Sequence, residues 1–459
     1  MQKIIILLVC ILGTINYSQA QDSTEVQTFS LSLEDAIIYG LQNSYTTKNA
    51  RTDVEIALKQ KWEIIAQGLP QIGGEITYQN QLIQPTSFIP AVVFDPSADP
   101  GSFIPVQFSQ KQNASAIATW NQLLFDGSYI VGVQSSKTLL QISQNAKVKT
   151  DLEVKQGIIE AYGNVLLARE SVSILQKNLN TLDKNLSDTQ KIFENGLTEE
   201  EDVEQLQITF LGLETQLNNT VRQLAIAYDM LKLTLGISID SKLEVTDSLE
   251  DLAMQYYDLN LLTQSISPEN NIDFRIAEDQ TNLARTEVKL EKSKALPRLS
   301  AYINYGTAGA SNSFTFFDDE QRYFEQSIVG VSLSVPIFSS GMRAARTAQK
   351  ELAYRKSLED LEQTRNQVKL EIASARNDYQ FALDNFATQE KNLALSERIE
   401  NKNSIKFFEG IASSFELSEA QTQLYQAQQD YLQAMYEVIA NKAALEKTLD
   451  TTTYQPQQN

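Results

Sequence analysis

Apolar positions change their spacing several times along the chain, and each change marks an element. Residues 127 to 195 contain no proline. A seam runs there from Val154 through Ile158, Val165, Leu175 and Leu182 to Phe193 in steps of three and four, broken in type only by Thr189. Such sustained spacing is coiled-coil periodicity and predicts one helix over 127–195, roughly 100 Å long at about 1.5 Å per residue. A second seam, from Leu358 through Val368, Ile372 and Tyr379 to Leu393, predicts a matching helix over 341–409. Each long helix meets a glycine, Gly196 or Gly410, and a new helical pattern begins at once. In the first case Thr198-Glu199-Glu200-Glu201 has the spacing of a capping box, and Leu206, Leu213, Leu217, Leu231 and Leu235 carry a return seam over 199–235. The second return covers 414–449. Short loops between matching seams predict antiparallel helical hairpins.

Two more helical stretches, Ser32 to Gly68 and about Ile272 to Ala295, end at Leu69-Pro70 and Leu296-Pro297. Beyond each pair the period becomes two. Ile72, Gly74, Ile76 and Tyr78 alternate with polar neighbours, as do Leu299, Ala301, Ile303 and Tyr305. Return partners follow at Ala114 to Trp120 and at Val329 to Val335, so half-polar strands are expected at about 71–83, 108–125, 297–306 and 326–338. The first connecting loop holds Pro85, Pro90, Pro96, Pro100 and Pro105, which reads as an exposed segment without a single conformation.

The order helix, strand pair, long helix, return helix therefore occurs twice. The anchors Leu69 and Gly196 are 127 positions apart (196 − 69) and their counterparts Leu296 and Gly410 are 114 apart (410 − 296), which places a net insertion of 13 residues (127 − 114) in the first copy. The expected organisation is a repeat over 21–236, a polar linker over 237–271, a second repeat over 272–449 and a loose tail over 450–459. Residues 1–20 read as a secretory signal: Lys3, an apolar run from Ile4 to Leu12, and the small-residue site Ser18-Gln19-Ala20. The one cysteine, Cys10, lies in that run, and the bulky Val9 before it argues against lipid attachment.

Composition narrows the chemistry. The chain has no histidine, so histidine-based metal sites, Ser-His or Cys-His nucleophiles and imidazole acid-base work are all excluded, and no cofactor is indicated. Fifty-eight acidic residues against thirty-eight basic ones make nucleic acid an unsuitable partner. After the signal no apolar run reaches about 18 residues, so membrane entry would need a closed β-barrel rather than helices. Four strands of about ten residues can cross an outer membrane and cannot close a barrel, because open edges leave backbone groups unpaired in lipid. Two chains would supply about eight strands, a barrel filled by its own side chains; three would supply about twelve and leave a lumen. A homotrimer is thus the smallest conducting assembly, and its long helices would line up as a second, α-helical cylinder. The fold class expected is mainly α, with a small membrane β-barrel contribution.

Several segments in this order resemble the outer membrane efflux protein (TolC-like) family over nearly all of the mature length. They are Ser32-Leu33-Glu34-Asp35-Ala36, the two Leu-Pro strand entries, Trp120-Asn121-Gln122-Leu123-Leu124-Phe125-Asp126-Gly127, Val335-Pro336-Ile337-Phe338-Ser339-Ser340-Gly341, and Asn195-Gly196-Leu197-Thr198. The resemblance implies a trimeric twelve-stranded outer-membrane barrel continuous with a periplasmic α-helical tunnel, in a Gram-negative bacterium. It further implies docking of the tunnel on a membrane-fusion adaptor and an inner-membrane pump. Adaptor contact maps onto the hairpin tips Gly196, Leu197, Thr198, Gly410, Ile411, Ala412 and Ser413. An acidic ring at the periplasmic aperture maps onto Glu416 and Glu419, with Asp202, beside Gln205, at the equivalent place of the first copy. Some relatives carry an arginine two residues after the second tip glycine as part of a closing network; this chain has Ala412, so that network does not transfer. The implied function is a passive exit duct for small molecules or proteins. The alternatives are a periplasmic coiled-coil structural or adhesive protein without a pore, and an enzyme using paired carboxylates, for which no pocketed pair is located.

Overall fold

The computed structural model describes residues 28–264 and 267–449. The signal segment, Cys10 and the tail lie outside the described residues. In chain order the helices are α1 (Leu33–Asn43), α2 (Tyr45–Ala66), α3 (Gly127–Glu194), α4 (Glu200–Leu235), α5 (Leu249–Gln255), α6 (Asn260–Thr263), α7 (Ile272–Ser293), α8 (Met342–Phe408) and α9 (Ser414–Leu449). The strands are β1 (Thr28–Leu31), β2 (Gln71–Asn80), β3 (Ser87–Pro90), β4 (Phe103–Val106), β5 (Gln112–Asp126), β6 (Lys242–Val245), β7 (Arg298–Ser311) and β8 (Phe324–Ser334). None of the described helices is long and apolar enough to cross a membrane.

The chain divides into two compact units. One takes residues up to 44, 157–257 and 385–440; the other takes 45–156, 258–384 and 441 onward. In the first unit the two hairpins share a leucine core of Leu175, Leu182, Leu206, Leu213, Leu217 and Leu417. The parallel pair β1–β6 is tied to α3 through Tyr162, whose hydroxyl donates to the Leu31 carbonyl (3.0 Å) and to Asp247 (2.9 Å). Burial pushes that phenol up to about 12, so it stays a donor. Gly40 of α1 lies so close to α3 that an added Cβ would come within 2.3 Å of Ile158 Cδ1.

The helical stretch expected from Ser32 to Gly68 is two helices. It breaks at Ser44, whose backbone is extended (ψ 146). Asn43 and Ser44 are weak helix formers, and the Asn43 side chain turns back to the Tyr39 carbonyl at 3.1 Å.

In the second unit β2, β5, β7 and β8 form one antiparallel sheet in that order. β5 carries a bulge between Leu123 and Phe125 and runs directly into α3. Asp126 starts that helix by accepting from the Ser128 amide (2.7 Å) and the Tyr129 amide (3.3 Å). β8 stops at Ser334, four residues short of the expected end. Pro336 offers no amide for a ladder, and Arg343 takes the Pro336 and Ile337 carbonyls instead, at 2.8 and 3.3 Å. The first strand likewise ends at Asn80 rather than near 83, whereas β7 extends to Ser311, five residues past expectation. At the start of α7, Asn271 caps the helix by accepting from the Asp273 amide (2.8 Å) and donates to the Thr448 carbonyl (2.9 Å), which holds the end of α9.

Candidate functional site

Two regions expose apolar side chains away from the core: the sheet and the hairpin tips. In the sheet, Ile72, Trp120, Ile303 and Val329 share one ladder, and Leu299 pairs with Leu333, Ala301 with Val331 and Ile76 with Ala116. Because side chains alternate across a strand, all of these project from one face. The other face carries Gln71, Glu75, Thr77, Asn113, Ser115, Asn304, Ser300 and Ser332, interrupted by Ile117, Tyr302 and Ile328. The apolar face is bare: Ile76 is 86% exposed and Val329 78%, with Ile72, Val331 and Leu333 also open. Among the described residues β2 pairs only with β5 and β8 only with β7, so both outer edges are free. The arrangement suits a wall with hydrocarbon on one side and water on the other, once its edges find partners. Near the Tyr78 end the β7–β8 loop folds back, setting Phe314 and Phe316 edge-on to Tyr78 at 5.7 and 5.8 Å. Aromatic rings at a strand end are what a membrane interface accommodates.

The tips are built alike at their stops. Gly196 (φ +73) bonds to the Phe193 carbonyl at 2.7 Å and Leu197 to the Ile192 carbonyl at 3.1 Å; Gly410 (φ +71) bonds to Phe407 at 3.0 Å and Ile411 to Lys406 at 2.8 Å. Both are Schellman stops, which need a left-handed residue and so favour glycine. The residue after each glycine is apolar and outward, Leu197 at 78% exposure and Ile411 at 70%.

The restarts differ. The capping box expected at Thr198–Glu201 is not formed: Glu199 occupies the cap without a side-chain bond, and the Thr198 hydroxyl donates to Asp202 instead. Asp202 also accepts from the Ser414 amide of the other tip at 3.3 Å. Burial would raise this carboxyl, but hydrogen bonds from Ser414 and Thr198 outweigh it and hold Asp202 below the usual carboxylate range. In the second tip Ser413 and Glu416 form a complete capping box: Glu416 accepts from the Ser413 amide (2.9 Å) and its own amide donates to the Ser413 hydroxyl (3.2 Å). Glu419, one turn further, is exposed and accepts only from Gln423, at 3.1 Å among the described contacts. Ala412 lies in the tip loop, its amide 3.2 Å from the Lys406 carbonyl.

The structure thus brings Thr198, Asp202 and Ser414 together and leaves Glu416 and Glu419 on their own helix. Periodicity could not reveal the Asp202–Ser414 link, since the two residues are distant in the chain and neither belongs to a seam.

Residues 265–450 match the family model described as outer membrane efflux protein. Over 343 residues the chain is 22% identical to outer membrane protein TolC of Vibrio cholerae, covering 74% of this chain and 77% of that one. It is 23% identical over 300 residues to the alkaline protease secretion protein AprF of Pseudomonas aeruginosa, covering 63% and 59% respectively. The fold is similar to the solved outer membrane protein VceC of Vibrio cholerae, with a TM-score of 0.68 at 16% identity over 91% of this chain and 95% of that one.

Proposed function

We propose that this chain, whose residues 265–450 match the outer membrane efflux protein model, works as such a protein, and that three copies close their sheets into one twelve-stranded barrel in the outer membrane of a Gram-negative bacterium. The long hairpins then form an α-helical tunnel in the periplasm, and the assembly is the passive exit duct of a tripartite efflux or type I secretion system. The observation that carries this reading is the sheet with one bare apolar face, one mixed, mainly polar face and, among the described residues, two free edges. With β2 and β8 antiparallel to their inner neighbours in a four-stranded array, the β8 edge of one copy meets the β2 edge of the next in antiparallel sense, and three copies leave no edge open. The apolar face turns to lipid and the polar face to the lumen. The relatives' names, which speak of an outer membrane protein and of protease secretion, support the location and the export role.

In this reading the tips Gly196, Leu197, Thr198 and Gly410, Ile411, Ala412, Ser413 receive a periplasmic adaptor linked to an inner-membrane pump. Leu197 and Ile411 are apolar contacts, exposed at the tips, and Phe408 and Phe415 add to the second one. Glu419, Glu416 and Asp202 supply the acidic ring at the aperture, and rings of carboxylates favour cations in a narrow pore.

The test is purification from outer membranes followed by mass measurement and planar-bilayer recording. A trimer that forms ion-conducting channels is expected; a soluble single-chain particle without channels overturns the reading. Glu416→Gln with Glu419→Gln should lower cation selectivity and divalent block, and unchanged selectivity would remove the ring.

A further inference from the structure

The connection between β2 and β5, whose prolines suggested no single conformation, is an ordered ribbon that outruns the sheet. The last pairs of the sheet join Asn80 to Gln112 and Gln112 to Ser311. Beyond them the two chains stay together. The Gln81 amide donates to the Lys111 carbonyl (2.8 Å), Ser109 to Gln81 (3.1 Å) and Gln84 to the Ser109 carbonyl (2.7 Å). The ladder β3–β4 follows, from Ser87↔Val106 to Pro90↔Phe103. The end is closed by two turns in which Asp95 takes the Ser97 amide (2.9 Å) and Asp99 the Gly101 amide (3.1 Å).

Its chemistry is unusual for a segment past a membrane wall. Between Gln81 and Gln110 the only charged residues are Asp95 and Asp99, both engaged in the end turns. Ile83 is 90% exposed and Phe88 69%, and Val93, Phe94 and Phe103 are open as well. Among the described residues nothing covers them, and bare apolar surface of this kind marks an interaction site.

We propose that the occupant is the same ribbon of the two sister copies, and that the three ribbons meet over the outer mouth as an apolar constriction. This rests on the trimeric duct proposed above. β2, from which the ribbon grows, is the edge strand that a second copy must pair, so the ribbon continues that interface and three identical ribbons stand around one opening. The reach suffices: the segment from Gln81 to Pro90 spans about 30 Å when extended, whereas a barrel of about twelve tilted strands has a backbone radius of about 12 Å. The polar saccharide surface of an outer membrane offers no cover for phenylalanine, and a sister ribbon does. Apolar constrictions exclude water and ions by dewetting, so the ribbons restrict flow from outside while bulky cargo displaces them from within.

Two variants of the full-length protein test this. Val93→Cys in a Cys10→Ser background leaves one thiol per chain; mild oxidation of the purified protein is expected to give disulfide-linked chain pairs on non-reducing gels, absent from the Cys10→Ser parent. Phe88→Ser with Phe94→Ser and Phe103→Ser is expected to raise single-channel conductance roughly two-fold or more in planar bilayers. Native mass measurement on the same samples separates the possible failures. A trimer with neither cross-link nor conductance change overturns the ribbon contact alone, and a cross-link with unchanged conductance overturns the constriction. A single-chain particle overturns the trimeric duct and this inference with it.

Discussion

The two hairpin tips stop in the same way and restart differently. Gly196 and Gly410 serve one backbone requirement, a left-handed residue that lets the last carbonyls of α3 and α8 be bonded. The restart is a side-chain matter, and there the copies have diverged. The second tip is self-contained, with Glu416 closing a capping box on Ser413. The first spends Asp202 on its own Thr198 and on the Ser414 amide across the gap. Backbone geometry fixes the shared stop, whereas the restart is left to side chains, and at the first tip that side chain reaches the second.

The largest expected effect comes from a third glycine that shares the Schellman geometry but not its surroundings. Gly236 (φ +77) ends α4, and an added Cβ would lie 2.4 Å from the Asn43 carbonyl oxygen, whereas nothing lies within 4 Å of Gly196 or Gly410. Gly196→Ala and Gly410→Ala should each cost about 1 kcal/mol, the conformational term alone. Gly236→Ala should cost about 3 kcal/mol or more, since backbone must also move. Thermal denaturation of the three variants checks the order; equal losses would mean that the tips are not open turns.

Next in size is the link itself. Asp202→Asn should lower protection of the Ser414 amide by about 1 kcal/mol, a charge-assisted hydrogen bond discounted for partial exposure, and Glu416→Gln should loosen Ser413 while sparing Ser414. Amide hydrogen exchange resolves the two, and identical patterns would show one shared network rather than one closed tip and one bridging tip.

The pH dependence is smaller near neutrality and has a definite sign. Asp202 titrates below its ordinary value of 3.8 in the folded protein, so its contribution is complete above that value and disappears as pH falls through the lower folded value. Ser414 protection, corrected for intrinsic exchange, should therefore stay level from neutral pH down to about 4 and drop only below it. A decline beginning near pH 6 would contradict the assignment. The smallest effect is expected for Glu419→Gln, which should leave melting temperature unchanged because, among the described residues, its carboxylate meets only Gln423.

The long helices were the most legible part of the chain, because a repeat sustained from Val154 to Phe193 leaves no competing period. Strand phase was legible too: the residues grouped by alternation, Ile72 and Ile76 with Ala116 and Trp120, and Leu299 and Ile303 with Val329 and Leu333, lie on one face of the sheet. Strand ends were not, since they depend on neighbours: β7 continues as long as β5 is beside it, and β8 ends where Pro336 removes an amide. The bulge at Leu124 and the break at Ser44 are single-residue events set by packing, with no periodic trace. The ribbon was missed because prolines read as breakers, yet Pro90 and Pro105 lie in a two-stranded ladder whose outer edges need no amide. Of the candidate site, the tip glycines were readable from residue type. The Asp202–Ser414 contact was not, because it joins residues from different copies.

The uncovered sheet has a consequence for biogenesis. A newly exported copy that folds by itself in an aqueous compartment presents two adhesive borders and a greasy panel, the features that drive strands to stick indiscriminately. If three copies share one wall, as proposed, a lone subunit has no comfortable resting state. In the proposed trimer, completion of the wall and arrival in the bilayer are therefore coupled events, and the yield of finished particles should depend steeply on how many copies are present at once.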